Sequence, residues 1–251
     1  MHKIFWQRAG RLWVQGLLLF ALRLAQNRTG FDPETGLSLP SMPGTVLAIA
    51  LVVCAVAELA LSFRQSGERA DFASQFTPPG REMPVLVAGC FLLAVGGVLL
   101  LLGALPQRGI AAMTAGLLAV AAGVGLLLLL RQVRANGDAS VFYALPAMFF
   151  AVFLVLAIYL PEESNPVLAR FYVPVLAAAL VAYAFSQLAG FLRRESTPRA
   201  FVRTADLAVL LCLTALADAL DRPGRLLLFG GCALLLTVFL LLRRDGAPAE
   251  A

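Results

Sequence analysis

Apolar residues run along this chain in blocks of 16 to 26 residues, separated by short breaks rich in Arg, Gly and Pro. A bilayer-crossing helix needs about 20 mostly apolar residues, within a range of about 17–25. The blocks predict eight spans: Arg11–Gln26, Pro43–Phe63, Pro84–Leu105, Gly109–Leu130, Ala139–Leu160, Val167–Leu192, Phe201–Leu220 and Leu226–Leu242. The first is the shortest and holds Gln15 and Arg23. Lys3, Arg8 and Arg11 ahead of it also fit a signal peptide, but the small residue Ala25 has Arg23 at its −3 position, a poor cleavage site. A retained span is the better reading.

The basic residues orient these spans. With the N-terminus inside, the inner segments carry Lys3, Arg8 and Arg11; Arg64, Arg69 and Arg81; Arg131 and Arg134; Arg193, Arg194, Arg199 and Arg203; and Arg243 and Arg244. The outer segments carry only Arg28, Arg108, Arg170, Arg222 and Arg225. Short cytoplasmic loops concentrate Lys and Arg, so the pattern predicts both termini in the cytoplasm. Aromatic residues, which favour membrane interfaces, sort with it. Trp6, Trp13, Phe63, Tyr143, Phe191 and Phe201 fall near inner boundaries, and Tyr159, Phe171 and Tyr172 near outer ones.

Composition agrees with a polytopic membrane protein. The chain of 251 residues is 60% hydrophobic and 14% charged, with a mean hydropathy of +0.84. Soluble domains run about 45–50% apolar and about 25% charged, so a soluble globular chain and a disordered one are both excluded. The net charge of +5 is explained by span-flanking arginines, with no need for nucleic acid as a partner. Cys54, Cys90, Cys212 and Cys232 lie inside apolar blocks without metal-ligand spacing. The single histidine, His2, is at the N-terminus. No cofactor or metal is expected. The whole chain, residues 1–251, reads as one all-α transmembrane bundle without a soluble domain.

The loops are short. Arg64–Met83, the longest inner one, reads as polar, with Pro78, Pro79 and Gly80. Asn27–Met42, the longest outer one, is rich in turn residues. Its Asn27-Arg28-Thr29 fits a glycosylation sequon, without other sign of a host that would use it. Small residues recur every four positions in the fourth span, at Ala112 and Gly116 and at Ala115, Ala119 and Gly123, and in the sixth at Ala178, Ala182, Ser186 and Gly190. Such stripes let helix backbones approach in lipid. Pro146 and Pro174 lie inside the fifth and sixth spans, where proline can kink a helix.

Charges within the membrane cost at least about 2.5–3.5 kcal/mol each on insertion scales, so they mark interior sites. A rise of about 1.5 Å per residue puts Glu58 about 22 Å from the outer end of its span and Asp206 about 8 Å from the inner end of its own. Both acids therefore fall in the inner third. Arg203 lies three residues from Asp206 on the same helix, a pairing distance. Glu58, Arg203 and Asp206 are thus expected to form a polar cluster, read either as a proton, cation or solute site or as a structural ion pair. Near the outer face, Arg23 and Asp218 fall at compatible depths and form a second candidate pair.

No H-E-x-x-H, G-x-S-x-G or P-loop pattern occurs. Asp218-Ala-Leu-Asp221 is a single D-x-x-D without the second acidic motif of a prenyltransferase. Glu162-Glu163 lacks the Arg four residues on, where Val167 stands, and the histidines of an intramembrane protease. No enzyme is expected. The segment Thr29-Gly30-Phe31-Asp32-Pro33-Glu34-Thr35-Gly36-Leu37 after an Arg-bearing first helix resembles a family of uncharacterised bacterial multi-pass membrane proteins. The resemblance implies a helical inner-membrane protein and brings no activity.

Two function classes remain. One is a binding or transport component for a small solute or ion, supported by the polar cluster and the two prolines. The other is a structural or regulatory membrane subunit assembling through its small-residue stripes. The expected partners are the lipid bilayer of the cell membrane and either another membrane protein or a second copy of the chain.

Overall fold

The computed structural model describes residues 2–32, 37, 39, 42–63, 65–106, 109–136, 140–162 and 171–244, with the side chains of 2–6, 136 and 162 left aside. Of the positions named above, Lys3, Trp6, Glu162 (side chains), residues 33–36, Arg64, Arg108, Ala139, Glu163, Val167 and Arg170 lie outside the described residues.

The described chain is helical from end to end: α1 (His2–Thr29), α2 (Met42–Ser62), α3 (Phe72–Gln75), α4 (Met83–Ala104), α5 (Ile110–Asn136), α6 (Leu145–Tyr159), α7 (Tyr172–Leu192), α8 (Pro198–Ala215) and α9 (Pro223–Leu242). Seven of these, α2 and α4 to α9, are long and apolar enough to cross a membrane. In lipid every backbone N–H and C=O must bond within the chain, and an uninterrupted helix does this. The charges of α1 lower its hydropathy, and it is not among the seven. Its length of 28 residues nonetheless exceeds the expected Arg11–Gln26.

Helices α4 to α9 form a closed cycle of neighbours, each packing on the next and α9 returning to α4. Helix α1 lies on this ring against α8 and α9, and α2 packs outside it on α1 and α8. Glycines close the joint around α4. A Cβ on Gly97 would lie 2.6 Å from the carbonyl oxygen of Gly116 on α5, and one on Gly116 would lie 2.7 Å from that of Gly97. On the other side of α4, Gly96 faces Gly224 and Gly89 faces Gly231, both on α9. The spacing is seven residues on each helix, two turns, so the backbones stay close over that length.

Pro146 stands in the first turn of α6, and Pro174 is the third residue of α7. Neither proline stands where it would kink its helix. First-turn backbone N–H groups have no intrahelical acceptor, so proline there starts a helix without breaking it.

The α2–α4 loop, read from sequence as polar, plugs one end of the bundle. Asp71 caps α3, accepting from the Ser74 N–H, and that hydrogen bonding, with Arg194 nearby, holds its carboxyl below the usual range. Phe76 is buried, with its ring 4.5 Å from Phe72, 5.4 Å from Phe191 and 5.6 Å from Phe201. The Thr77 N–H donates to Leu242 O at 2.8 Å, Ala70 N–H to Ser196 O, and Arg199 N–H to Ser66 O. The loop thereby ties together the ends of α2, α7, α8 and α9. Truncating a buried Phe costs about 3–5 kcal/mol. Phe76→Ala is expected to raise tryptic cleavage at exposed Arg69 by roughly 100-fold, because cleavage follows local opening. Limited proteolysis of the detergent-solubilised chain measures this.

Candidate functional site

Three buried ion pairs fasten α1 to its neighbours, at two levels. At the plugged end, Arg8 pairs with Asp206 of α8, and Arg11 Nη2 lies 2.7 Å from Glu58 Oε2 of α2. Glu58 and Asp206 are both completely buried, and Glu58 and Arg11 lie within electrostatic range of Asp206. The four groups form one cluster of two cations and two acids. Arg203 was the expected cation of this cluster; it is half-buried on α8, and the guanidinium groups on the acids are instead Arg8 and Arg11. Arg8 and Arg11 reach the two acids from the facing helix α1.

At the opposite end, Arg23 Nε donates to both carboxylate oxygens of Asp218, at 2.9 and 3.0 Å. Asn27 Nδ2 adds a bond to Asp218 Oδ1 at 2.8 Å, and Arg23 Nη1 donates to Gln26 Oε1 at 2.7 Å. The guanidinium is fully buried and stacks 5.3 Å from the centre of the Tyr172 ring. Between the two levels a Cβ on Gly16 would fall 2.3 Å from Leu213 Cδ1, so glycine lets α1 settle onto α8. Residues 8, 16 and 23 meet 206, 213 and 218 in order. The two helices therefore run parallel, side by side.

Within the inner cluster, Glu58 Oε1 and Asp206 Oδ1 are buried, and no protein group donates to either. A void of about 10 Å³ beside Arg8, lined by Leu12, Thr237 and Leu240, is about the size of one water. Trp13 Nε1 donates to Thr237 Oγ1 at 3.2 Å close by.

The small residues of α7 are divided. Ala178 is buried, whereas Ala182, Ser186 and Gly190 are half-exposed. The helix buries a neighbouring stripe, Ala177, Val181, Ala184 and Leu188. Gly190 serves the following turn instead. The Glu195 N–H donates to Gly190 O at 2.8 Å, Arg194 takes φ 60°, and a Cβ on Gly190 would lie within 2.0 Å of Ser196 Oγ. This is a Schellman closure. Among the described residues no group of three or more His, Cys, Asp or Glu could hold a metal ion, and the four cysteines are free thiols.

Comparison with family models, with curated proteins and with solved structures finds no match.

Proposed function

We propose that the chain crosses the cell membrane eight times, with both termini cytoplasmic, and that it is a binding or transport component for a small solute or ion rather than an enzyme. The eighth span is α1. It runs beside the apolar helix α8 from Asp206 to Asp218, twelve residues or about 18 Å. Its residues Val14, Leu17 and Leu18 are exposed, while Arg8 and Arg23 turn inward and Arg11, whose side chain is 39% exposed, reaches the buried Glu58 from the surface. Apolar out and charged in suits lipid. The concentration of arginine at the plugged end supports the orientation. Reporter fusions at the C-terminus and in the loop around Leu37 test it: the first should be active only in the cytoplasm, the second only outside.

The observation that carries the binding role is the pair of buried carboxylates, each with one oxygen bonded to arginine and the other without a protein donor. Buried polar groups are ordinarily paired, so these two oxygens are acceptors placed for a proton, a cation or a solute donor. In proteoliposomes reporting internal pH, Glu58→Gln with Asp206→Asn is expected to lower proton flux at least ~10-fold while the variant stays folded. Full flux in a folded double variant removes the role.

A second reading, a structural or regulatory subunit, is favoured by α2. Its residues Val46, Ile49, Val52, Val53 and Val56 are all exposed and form a broad apolar face for another membrane protein or a second copy.

A further inference from the structure

A cavity lies at the other end of the bundle, away from the Glu58–Asp206 cluster. It encloses about 680 Å³ between the C-terminal ends of α4 and α6 and the N-terminal ends of α5 and α9. Cavities that hold small ligands span about 300–1,000 Å³. Its floor is apolar, with Leu100, Gly103, Ala112 and Leu156, and Arg222 and Arg225 stand together on its rim. Ile110 and Leu160, which line it, are exposed, so the cavity is open to the surface.

We propose that this cavity binds a phosphate-bearing anionic lipid, its acyl chain against the apolar floor and its headgroup on the two arginines. Charge complementarity selects the occupant. Two guanidinium groups three residues apart at the start of α9 line the same hollow as its apolar side chains. Guanidinium matches phosphate with paired N–H donors. Arg225 is fixed for this task, since its Nη2 donates across the cavity to Ala157 O at 3.3 Å. Arg222 makes a solvent-exposed 4.0 Å contact with Asp221 and also lies within electrostatic range of Asp218; exposed pairs of this kind exchange readily. The site is independent of the inner cluster and of the reading given to it.

Gly103 makes the idea testable. Its Cβ position meets nothing within 4 Å, so Gly103→Leu fills the hollow without displacing backbone. The experiment is native mass spectrometry of the purified full chain in mild detergent, with added phosphatidylglycerol, phosphatidylcholine or inorganic phosphate. The wild type is expected to retain one phosphatidylglycerol per chain, at least ~10-fold more than phosphatidylcholine. Arg222→Gln with Arg225→Gln should lower retention roughly 30-fold, from about fivefold attraction per arginine near a phosphate surface. Gly103→Leu should lower it at least ~10-fold with an unchanged melting temperature. Equal retention of phosphatidylcholine overturns the proposal, as does phosphatidylglycerol bound undiminished to Gly103→Leu. Displacement of the lipid by millimolar inorganic phosphate would make this a free-anion site and also overturn it. Should the double arginine variant fail to fold, the Gly103→Leu result alone decides.

Discussion

Arg23→Met lowers the stability of the detergent-solubilised chain by about 3–5 kcal/mol, the cost of leaving a buried carboxylate without its cation. Asp218 keeps its bond from Asn27 in that variant, a neutral donor in place of a charged guanidinium. For a chain of this size the loss corresponds to a fall in melting temperature of about 10 °C. The converse variant, Asp218→Asn, strands the fully buried Arg23 guanidinium against the Tyr172 ring and Gln26 and costs a similar amount. The double variant Arg23→Met with Asp218→Asn recovers much of the loss, because replacing both members of a buried pair leaves no uncompensated charge. A double-variant cycle is expected to return a coupling energy of about 2–3 kcal/mol. Additive losses, with no recovery, would show that the two side chains act separately and that α1 is held at this level by apolar packing alone. The measurement also bears on topology. If the Arg23–Asp218 level fails, residues 17–29 lose their anchor to α8, and tryptic cleavage after Arg28 should rise alongside the fall in stability.

The levels of the charged groups were legible in the sequence, and most of their partners were not. A rise of 1.5 Å per residue puts Glu58 and Asp206 at one depth, and Arg23 and Asp218 at another, and the structure joins groups within each level. The identity of the inner cations was missed because arginines before a span read as interfacial charges. Helix α1 runs unbroken from His2 to Thr29, so Arg8 and Arg11 stand on the same helix as Arg23. A signal for this exists. Arg8, Arg11, Gln15, Arg23 and Asn27 fall three, four, eight and four residues apart, a broad polar stripe on one side of the helix, with Val14 and Leu17 on the other. That is an inward face inside a membrane, and its period was more informative than its mean hydropathy. The seven other long helices were legible because each is an uninterrupted apolar block. The plug was not. Phe72 and Phe76 lie among Ser, Gln, Thr and Pro, and only the tertiary meeting of Phe191, Phe201 and Phe239 gives those two rings somewhere to go. The small-residue stripes were legible as a class but not by helix. In α5 the stripe meets α4 at Gly116, Ala119 and Gly123, whereas in α7 larger side chains fill the interface.

The α4–α5 joint gives the other large effect, with a control of the same chemistry built into the fold. Gly97→Ala and Gly116→Ala each place a methyl group 2.6–2.7 Å from a carbonyl oxygen of the facing helix. Backbone cannot swing aside as a side-chain tip can, so the helices must separate. Overpacking of this kind costs about 1–3 kcal/mol, set against about 1 kcal/mol that alanine gains over glycine within a helix. Each variant is expected to lose up to about 2 kcal/mol net. Gly97→Leu demands a displacement of the whole joint and should give no folded chain, seen as loss of a monodisperse peak after solubilisation. Gly230→Ala on α9 is the control, because nothing lies within 4 Å of its Cβ position, and it should gain up to about 1 kcal/mol from helix propensity alone. Opposite signs at Gly97 and Gly230 would mean that glycine here serves backbone contact between helices rather than flexibility within them. A stabilising Gly97→Ala would mean that α4 and α5 stand further apart than their carbonyls indicate. The ring of six helices would then be closed by apolar side chains instead.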